Sequence, residues 1–305
     1  MAVGALLAAA AAVMAARQGA SSAPATRRPS GPPRLYLDLG VRTDPEAQAL
    51  RRAGTLYDKG DLDAAKAIFS RSFSAQAQVA DAFASWPSGT LARLSGLASQ
   101  YERSSFVQLH LGLALLWSGE EGGALAAFQR AEKVQPDTRS ALTAQDLLHP
   151  NTVPGMPVFE PSFETPAAVA ALPAPRQLVA LRARARARDP HAKILYAIAL
   201  AQLGHRISAE REARAAALLA PNDPEALTAA AVFRFDKNHL ELAFGELGPL
   251  TKRFPHAATV RFHLGLMLLW IEDLQRARSQ LEQAIRADPG SRLALQARQV
   301  LDRIK

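Results

Sequence analysis

The chain of 305 residues contains no cysteine. This absence excludes a thiol nucleophile, a thiolate metal site, a disulfide and a lipid-modified cysteine. The seven histidines are scattered, and no pair has the helical spacing and the carboxylate that a zinc hydrolase requires. No glycine-rich loop is followed by the Lys-Ser/Thr pair of a phosphate-binding site. The sequence therefore predicts no catalytic residue, no metal and no cofactor, and we expect a protein that is not an enzyme.

Aromatic residues are also scarce, at 6% of the chain, and β-branched residues are few, whereas Ala and Leu dominate. This composition favours helix over sheet. Ala209, Ala243 and Ala277 recur at a period of about 34 residues, which is the signature of a helical solenoid. Three prolines recur at the same period, at positions 221, 255 and 289. The sequence therefore predicts an all-α fold built from stacked repeats.

The clearest repeat covers residues 258–291 and divides into two amphipathic stretches. The first carries a Leu264-Gly265 pair, and the second has apolar residues on one face before a proline ends it: Ala277, Leu281, Ala284 and Pro289. The small residues let two helices approach closely. One such hairpin cannot bury its apolar face alone, so neighbouring hairpins must stack on it.

This order of residues resembles the tetratricopeptide repeat family. The repeat that starts at Ser105 has the same order: Leu111-Gly112, Ala124, Phe128, Ala131 and Pro136. Repeats near Pro190 and Pro224, and a partial one near Leu56, keep fewer of these positions. The resemblance implies a right-handed α-solenoid that binds proteins without catalysis, on the face lined by the first helix of each hairpin.

A longer duplication is superimposed on the short repeat. Residues 107–117 read VQLHLGLALLW and residues 260–270 read VRFHLGLMLLW. We therefore predict two related halves, residues 34–148 and 176–305, each ending in a capping helix. A proline-rich linker, residues 149–175, joins them; it contains Val158, Phe159 and Phe163, so we expect it to lie against one half. The alternative is a mobile spacer with exposed aromatic side chains.

The resemblance also implies which residues line the binding groove. In the first half they are Phe106, Leu109, His110, Leu113, Leu116 and Trp117, and in the second Phe262, His263, Leu266, Leu269 and Trp270. Because these residues are mostly apolar, a clamp for a terminal carboxylate is not supported. We expect a protein or peptide partner, with filling of the groove by the protein itself as the alternative. The two histidines are interpreted as partly buried and hydrogen-bonded to a neighbouring helix.

The N-terminal segment, residues 1–33, has a different composition. Residues 2–16 are apolar and alanine-rich, and Arg17 and a Ser/Pro/Arg-rich stretch follow. The run is shorter than the roughly 20 residues of a spanning helix and fits the core of a signal peptide better, although no basic residue precedes it. We expect a membrane-associated or exported protein; the alternative is a cytoplasmic protein with an N-terminal tail.

The net charge of +8 suggests an anionic partner only weakly. Half of it comes from arginines before Asp38. The one local run alternates with alanine, so its side chains divide between two helix faces: Arg182, Arg184, Arg186 and Arg188. We interpret this run as a solvated helix and expect no nucleic acid partner. The alternative is an adaptor that binds nucleic acid or a membrane surface through this helix.

Overall fold

The computed structural model describes residues 31–304, which form sixteen helices and no strand. Contacts divide these residues into an N-terminal unit, residues 31–148, and a C-terminal unit, residues 149–304. The predicted N-terminal signal or anchor, residues 1–33, lies almost wholly outside the described residues. No helix within 31–304 has both the length and the apolar character needed to cross a bilayer.

The N-terminal unit consists of three helical hairpins and a final helix. The hairpins pair α1 (Pro45–Asp58) with α2 (Leu62–Phe69), α3 (Ala75–Ala84) with α4 (Thr90–Gln100), and α5 (Ser105–Ser118) with α6 (Glu121–Val134). The final helix, α7 (Arg139–Leu148), packs on α6 and on α5. It covers the apolar face that the last hairpin would otherwise expose, as expected for a cap.

The C-terminal unit repeats this plan after two additional helices, α8 (Ala167–Ala170) and α9 (Ala174–Ala185). The hairpins pair α10 (Pro190–Gln202) with α11 (Arg206–Leu219), α12 (Pro224–Phe233) with α13 (Leu240–Arg253), and α14 (Ala258–Trp270) with α15 (Leu274–Ala287). The closing helix is α16 (Arg292–Arg303). Helices α8 and α9 have no counterpart in the N-terminal unit.

Three of the helices begin with the same Asp-Pro signal. The side chains of Asp44, Asp189 and Asp223 accept hydrogen bonds from backbone N–H groups in the first turns of α1, α10 and α12. The proline that follows each aspartate occupies the first helical position, where no N–H is needed. Local sequence therefore sets where these first helices start.

The closest approach within a hairpin occurs at the glycine of the Leu-Gly pair. A methyl group added at Gly112 would lie 2.5 Å from the Phe128 ring, and one added at Gly265 would lie 2.8 Å from Leu281 Cγ. Both glycines thus let the paired helices touch, at matched places in the two units. This packing, the paired helices and the capping helices together confirm the α-solenoid of tetratricopeptide-like hairpins.

In each unit an extended segment precedes the helices. We call residues 33–40 the N-strap and residues 153–163 the C-strap; neither contains a helix or a strand. Leu35 and Leu39 of the N-strap are buried in the core of the N-terminal unit, and Val153 and Phe159 of the C-strap are buried in that of the C-terminal unit. The predicted linker thus contributes part of its apolar residues to the core of the unit that follows it.

Candidate binding grooves

The N-strap is held by the histidine of α5. The backbone N–H of Tyr36 donates a hydrogen bond to His110 Nε2 at 3.1 Å. The other ring nitrogen, Nδ1, lies 2.7 Å from the carbonyl oxygen of Phe106, one turn earlier in the same helix. The imidazole is fully buried and packs against the rings of Phe83 and Phe106. A helix side chain therefore fixes one backbone amide of an extended segment.

The C-strap is held in the same way by the histidine of α14. The backbone N–H of Glu160 donates to His263 Nε2 at 2.9 Å, and Nδ1 lies 2.7 Å from the carbonyl oxygen of Thr259. The ring of Phe159 stacks on this imidazole with centroids 4.4 Å apart. The duplicated histidine has thus kept both its position and its backbone contacts in the two units.

These contacts define the protonation state of both histidines. An Nε2 that accepts an N–H must be unprotonated, so the ring proton is on Nδ1 and is donated to the helix carbonyl. Burial without a charged partner disfavours the imidazolium and lowers the pKa of His110 and of His263 to about 4. Both rings are therefore neutral at pH 7, and protonation would remove the acceptor that holds each strap.

A second polar side chain holds each strap two residues further on. Gln76, at the second position of α3, accepts from the N–H of Asp38 at 3.0 Å and donates to its carbonyl oxygen at 2.7 Å. Glu225, at the second position of α12, accepts from the N–H of Ser162 at 2.6 Å and from its hydroxyl at 3.0 Å. The amide contacts only backbone atoms, whereas the carboxylate also contacts a side chain.

The first helices of the hairpins thus form one groove in each unit. We call the face of α1, α3 and α5 the N-groove and the face of α10, α12 and α14 the C-groove. Tyr57 on α1 donates its hydroxyl proton to the carbonyl oxygen of Pro33 at 2.6 Å, at the start of the N-strap. At the other end of the C-strap, Phe163 stacks on His191 of α10. Each groove is occupied by an extended segment of the same chain.

The C-strap makes one further set of polar contacts, through Glu160. Its Oε2 accepts from Arg292 at 3.0 Å and from Gln296 Nε2 at 3.3 Å, both on α16. Burial raises the pKa of this carboxyl, and Arg292 opposes the increase. Glu160 Oε1 and Gln296 Oε1 are buried without a hydrogen-bond partner among the described residues. The polar fit of the strap in this place is therefore incomplete.

The predicted groove residues divide by exposure. His110 and His263 each accept a hydrogen bond from an extended strap. The sequence alone suggests a neighbouring helix as the partner. The following residues are buried: Phe106, Leu109, Leu113, Phe262, Leu266, Leu269 and Trp270. Leu116 is 38% exposed and Trp117 is partly buried. A role of these residues in binding a partner remains a prediction.

The two matched tryptophans share an unusual property. The indole N–H groups of Trp117 and Trp270 are buried and have no hydrogen-bond partner among the described residues. Buried tryptophan N–H groups usually find an acceptor. Each of the two helices therefore carries a buried indole N–H donor for which residues 31–304 supply no acceptor.

Sequence reasoning missed Gln76, Glu225, Arg292 and Gln296. Gln76 and Glu225 are different residues, so they form no repeated motif. Both straps are bound largely through backbone atoms, so the strap sequences share no visible motif either. The available signal was positional, because both residues follow the first residue of the first helix in the middle hairpin. Within residues 31–304, no group of three or more His, Cys, Asp or Glu residues is placed to hold a metal ion.

No protein-family model matches the chain, and no curated protein matches its sequence. Solved structures of similar fold include a tetratricopeptide repeat protein from Parabacteroides merdae, with 14% identity over 85% of this chain and 98% of that chain and a TM-score of 0.35. The tetratricopeptide repeat protein YrrB aligns at 17% identity over 68% of this chain and 97% of that chain, with a TM-score of 0.33. The TPR2AB domain of yeast Sti1 aligns at 12% identity over 85% and 96%, with a TM-score of 0.30. At these values the fold assignment depends on the hairpins and repeated positions of the chain itself.

Proposed function

We propose that the protein is a non-catalytic scaffold that binds an extended segment of a protein partner in the groove of one or both units. The observation that supports this function is the occupancy of both grooves. Each groove holds an extended stretch of backbone through a buried histidine and a second polar side chain. A surface that fixes its own extended segment by backbone hydrogen bonds has the chemistry to fix another one.

The partner segment would replace a strap instead of entering an empty groove. The apolar residues under each strap are covered by Leu35 or Phe159, which are 9% and 1% exposed. A groove left open would expose this apolar surface to water, which is unfavourable. The strap therefore keeps the scaffold soluble until a partner with a better fit arrives.

The test compares variants that act on the strap and on the groove in opposite directions. Phe159→Ala removes the main apolar contact of the C-strap, and the double variant Phe159→Ala, Glu225→Ala also removes the groove carboxylate that accepts a backbone N–H of an extended segment. Tagged full-length proteins would be used to isolate partners from native extracts after crosslinking, with quantitative mass spectrometry. We expect a defined set of proteins to increase with Phe159→Ala and to return toward the unaltered level in the double variant. Identical sets from both variants would contradict groove binding.

For location, we propose that residues 1–33 direct the protein to a membrane or out of the cytoplasm. This proposal is supported by the apolar run of residues 2–16 alone. Fractionation of cells expressing the full chain, or the chain without residues 1–33, tests it. We expect the full chain with membranes or outside the cytoplasm, and the shortened chain in the cytoplasm. Equal cytoplasmic recovery of both proteins, with the N-terminus intact, would exclude this proposal and favour the cytoplasmic alternative.

A second candidate function is supported by helix α9. This helix is absent from the N-terminal unit and buries only Leu181 and Ala185. No acidic residue occurs between Glu164 and Asp189, while the exposed side chains include five arginines without an ion pair in the described structure: Arg176, Arg182, Arg184, Arg186 and Arg188. Val179 on the same helix is 70% exposed. An added, weakly packed and purely cationic helix fits an anionic membrane surface.

The membrane role of α9 is tested with lipid vesicles. We expect the full chain to sediment with phosphatidylserine vesicles and not with phosphatidylcholine vesicles, and the binding to weaken at high salt. Replacement of Arg176, Arg182 and Arg186 by Gln should abolish sedimentation, whereas the matched change of Arg130 on α6 should not. Equal binding to both lipids would exclude this role, and tight binding to a nucleic acid oligomer alone would favour the other anionic partner.

A further inference from the structure

The two straps occupy corresponding places, but the side chains that bind them make different contacts. In the C-groove, Glu225 accepts from the hydroxyl of Ser162 as well as from its N–H. In the N-groove, Gln76 bonds the N–H and the carbonyl oxygen of Asp38 and makes no contact with its carboxylate. A carboxylate only accepts hydrogen bonds, so it favours a strap residue with a hydroxyl donor. A glutamine amide that bonds both the N–H and the carbonyl oxygen of one residue makes no demand on that residue's side chain. Glu225 of the C-groove therefore contacts a strap side chain at a position where Gln76 of the N-groove contacts backbone atoms.

Two further positions of the C-strap are read by side chains. Phe159 is 1% exposed between His263 and Phe233, so this place requires a large apolar ring. Glu160 follows it and bonds Arg292 and Gln296 on the capping helix. In sequence order the groove covers an aromatic residue, Phe159, an acidic residue, Glu160, a buried proline, Pro161, and a hydroxyl residue, Ser162. This order is a recognition pattern written out by the internal occupant.

The internal occupant is also replaceable, because its fit is incomplete. Glu160 Oε1 and Gln296 Oε1 are buried without a hydrogen-bond partner among residues 31–304, and an unsatisfied buried acceptor weakens the complex that contains it. The residues just beyond the contacts, Glu164 and Thr165, are exposed, whereas Phe159 belongs to the core of the C-terminal unit. Separation of the strap therefore uncovers apolar surface, which an incoming peptide with the same aromatic residue covers again. A peptide with the same pattern can therefore take its place.

We propose that the C-groove is a specific site for extended peptides with the pattern aromatic–acidic–Pro–Ser/Thr, and that residues 157–163 occupy it as a built-in competitor. The inference extends the proposed function, because it states which segment of a partner the groove accepts.

The test uses a fluorescent synthetic peptide with the sequence of residues 156–165. It is titrated into the full-length protein and into the double variant Phe159→Ala, Ser162→Ala, whose own strap is weakened. Because a tethered strap competes at an effective concentration in the millimolar range, we expect at least about tenfold tighter binding to the double variant. Equal affinity for both proteins would contradict an internal competitor.

Specificity is measured with a matched peptide and a matched groove variant. A peptide with alanine at the place of Ser162 should bind the double variant about tenfold more weakly, because the Glu225 carboxylate loses a hydroxyl donor. Adding Glu225→Gln to the double variant should make the two peptides bind within about twofold of each other, since an amide also bonds backbone groups. Retention of the tenfold preference in that variant would overturn the role of Glu225.

Hydrogen–deuterium exchange on the unaltered protein covers the case in which the double variant does not fold. An excess of the peptide should increase deuterium uptake of the strap, residues 157–163, while the uptake of α12 and α14 stays the same. If the peptide neither binds the double variant nor changes strap exchange, the inference is wrong. Peptide binding with the expected preference, but no groove-dependent capture of proteins, would instead refute the proposed scaffold function and leave this site intact.

Discussion

The buried histidines predict that stability falls steeply as the pH is lowered from 7 to 5. In the folded protein the pKa of His110 and of His263 is about 4, whereas an unfolded histidine titrates near pH 6.5. Between these two values the unfolded chain binds protons that the folded chain cannot accept. The stabilisation is therefore complete above the unfolded pKa and is lost as the pH falls toward the folded pKa.

The size of the effect follows from the two pKa values. A shift of one pKa unit corresponds to about 1.4 kcal/mol, so each histidine contributes roughly 3 kcal/mol over its whole window. Between pH 7 and pH 5 the expected loss is about 2 kcal/mol for each histidine. In the C-terminal unit, burial raises the pKa of Glu160 and Glu225, so these carboxyls take up protons on folding and oppose the loss. The N-terminal unit should therefore be the more acid-sensitive of the two.

The assay is urea unfolding at pH 7, 6 and 5, followed by circular dichroism. Exchange measurements on peptides from α5 and α14 separate the two units. His110→Gln and His263→Gln keep a possible acceptor but remove the titrating ring, so each should reduce the pH dependence of its own unit by about 2 kcal/mol. Stability that is flat between pH 7 and pH 5, or an unchanged pH dependence in the glutamine variants, would refute the reasoning.

Three other predictions concern packing. Gly112→Ala and Gly265→Ala should each lower the free energy of unfolding by about 1–3 kcal/mol, because the added methyl group meets Phe128 or Leu281. Gly245→Ala is the control: a methyl group there has nothing within 4 Å, so it should stabilise its helix by up to about 1 kcal/mol. Thermal or urea melts measure both effects. Ala277→Leu should cost about 1–3 kcal/mol by overpacking a fully buried helix contact, and a change of a few tenths would contradict the hairpin packing there. Trp270→Ala should lower the free energy of unfolding by about 3–5 kcal/mol, because Trp270 is 5% exposed. Trp117 is only partly buried, so Trp117→Ala should reduce partner capture with a smaller loss of stability. A larger loss of stability for Trp117→Ala than for Trp270→Ala would contradict the different burial of the two residues.

The helices were predictable because their signals are local and periodic. The Leu-Gly pair at Gly265, Ala277 and Pro289 mark the first helix, the second helix and the end of a hairpin, and the structure has each element in that place. The helix inferences need only the period of a helix and the position of a breaker. The assignment of His263 to the groove needed, in addition, the resemblance to the tetratricopeptide repeat family.

The straps could not be predicted because backbone hydrogen bonds leave no mark in a sequence. Tyr36 and Glu160 are different residues at corresponding places, and both are bound through the backbone N–H. The proline density of residues 149–175 correctly excludes a long helix over the strap, yet it says nothing about which surface the extended chain follows. Only the apolar side chains of Val158, Phe159 and Phe163 indicated that part of this segment would be covered, and Phe159 is 1% exposed.

The arrangement of strap and groove has a consequence for assembly. A strap that is bound to its own unit only by non-covalent contacts can bind the identical groove of a second copy, with all the same hydrogen bonds. A reciprocal exchange between two copies closes into a symmetric domain-swapped dimer, whereas a one-way exchange leaves a free strap and a free groove at the ends and continues into chains. Exposed residues lie near both ends of the C-strap, at Pro154 and Glu164. The length and stiffness of the chain at these points decide whether the strap binds its own groove or that of a neighbour. Exchange between copies is bimolecular whereas closure within one copy is not, so we expect the exchanged fraction to rise with protein concentration.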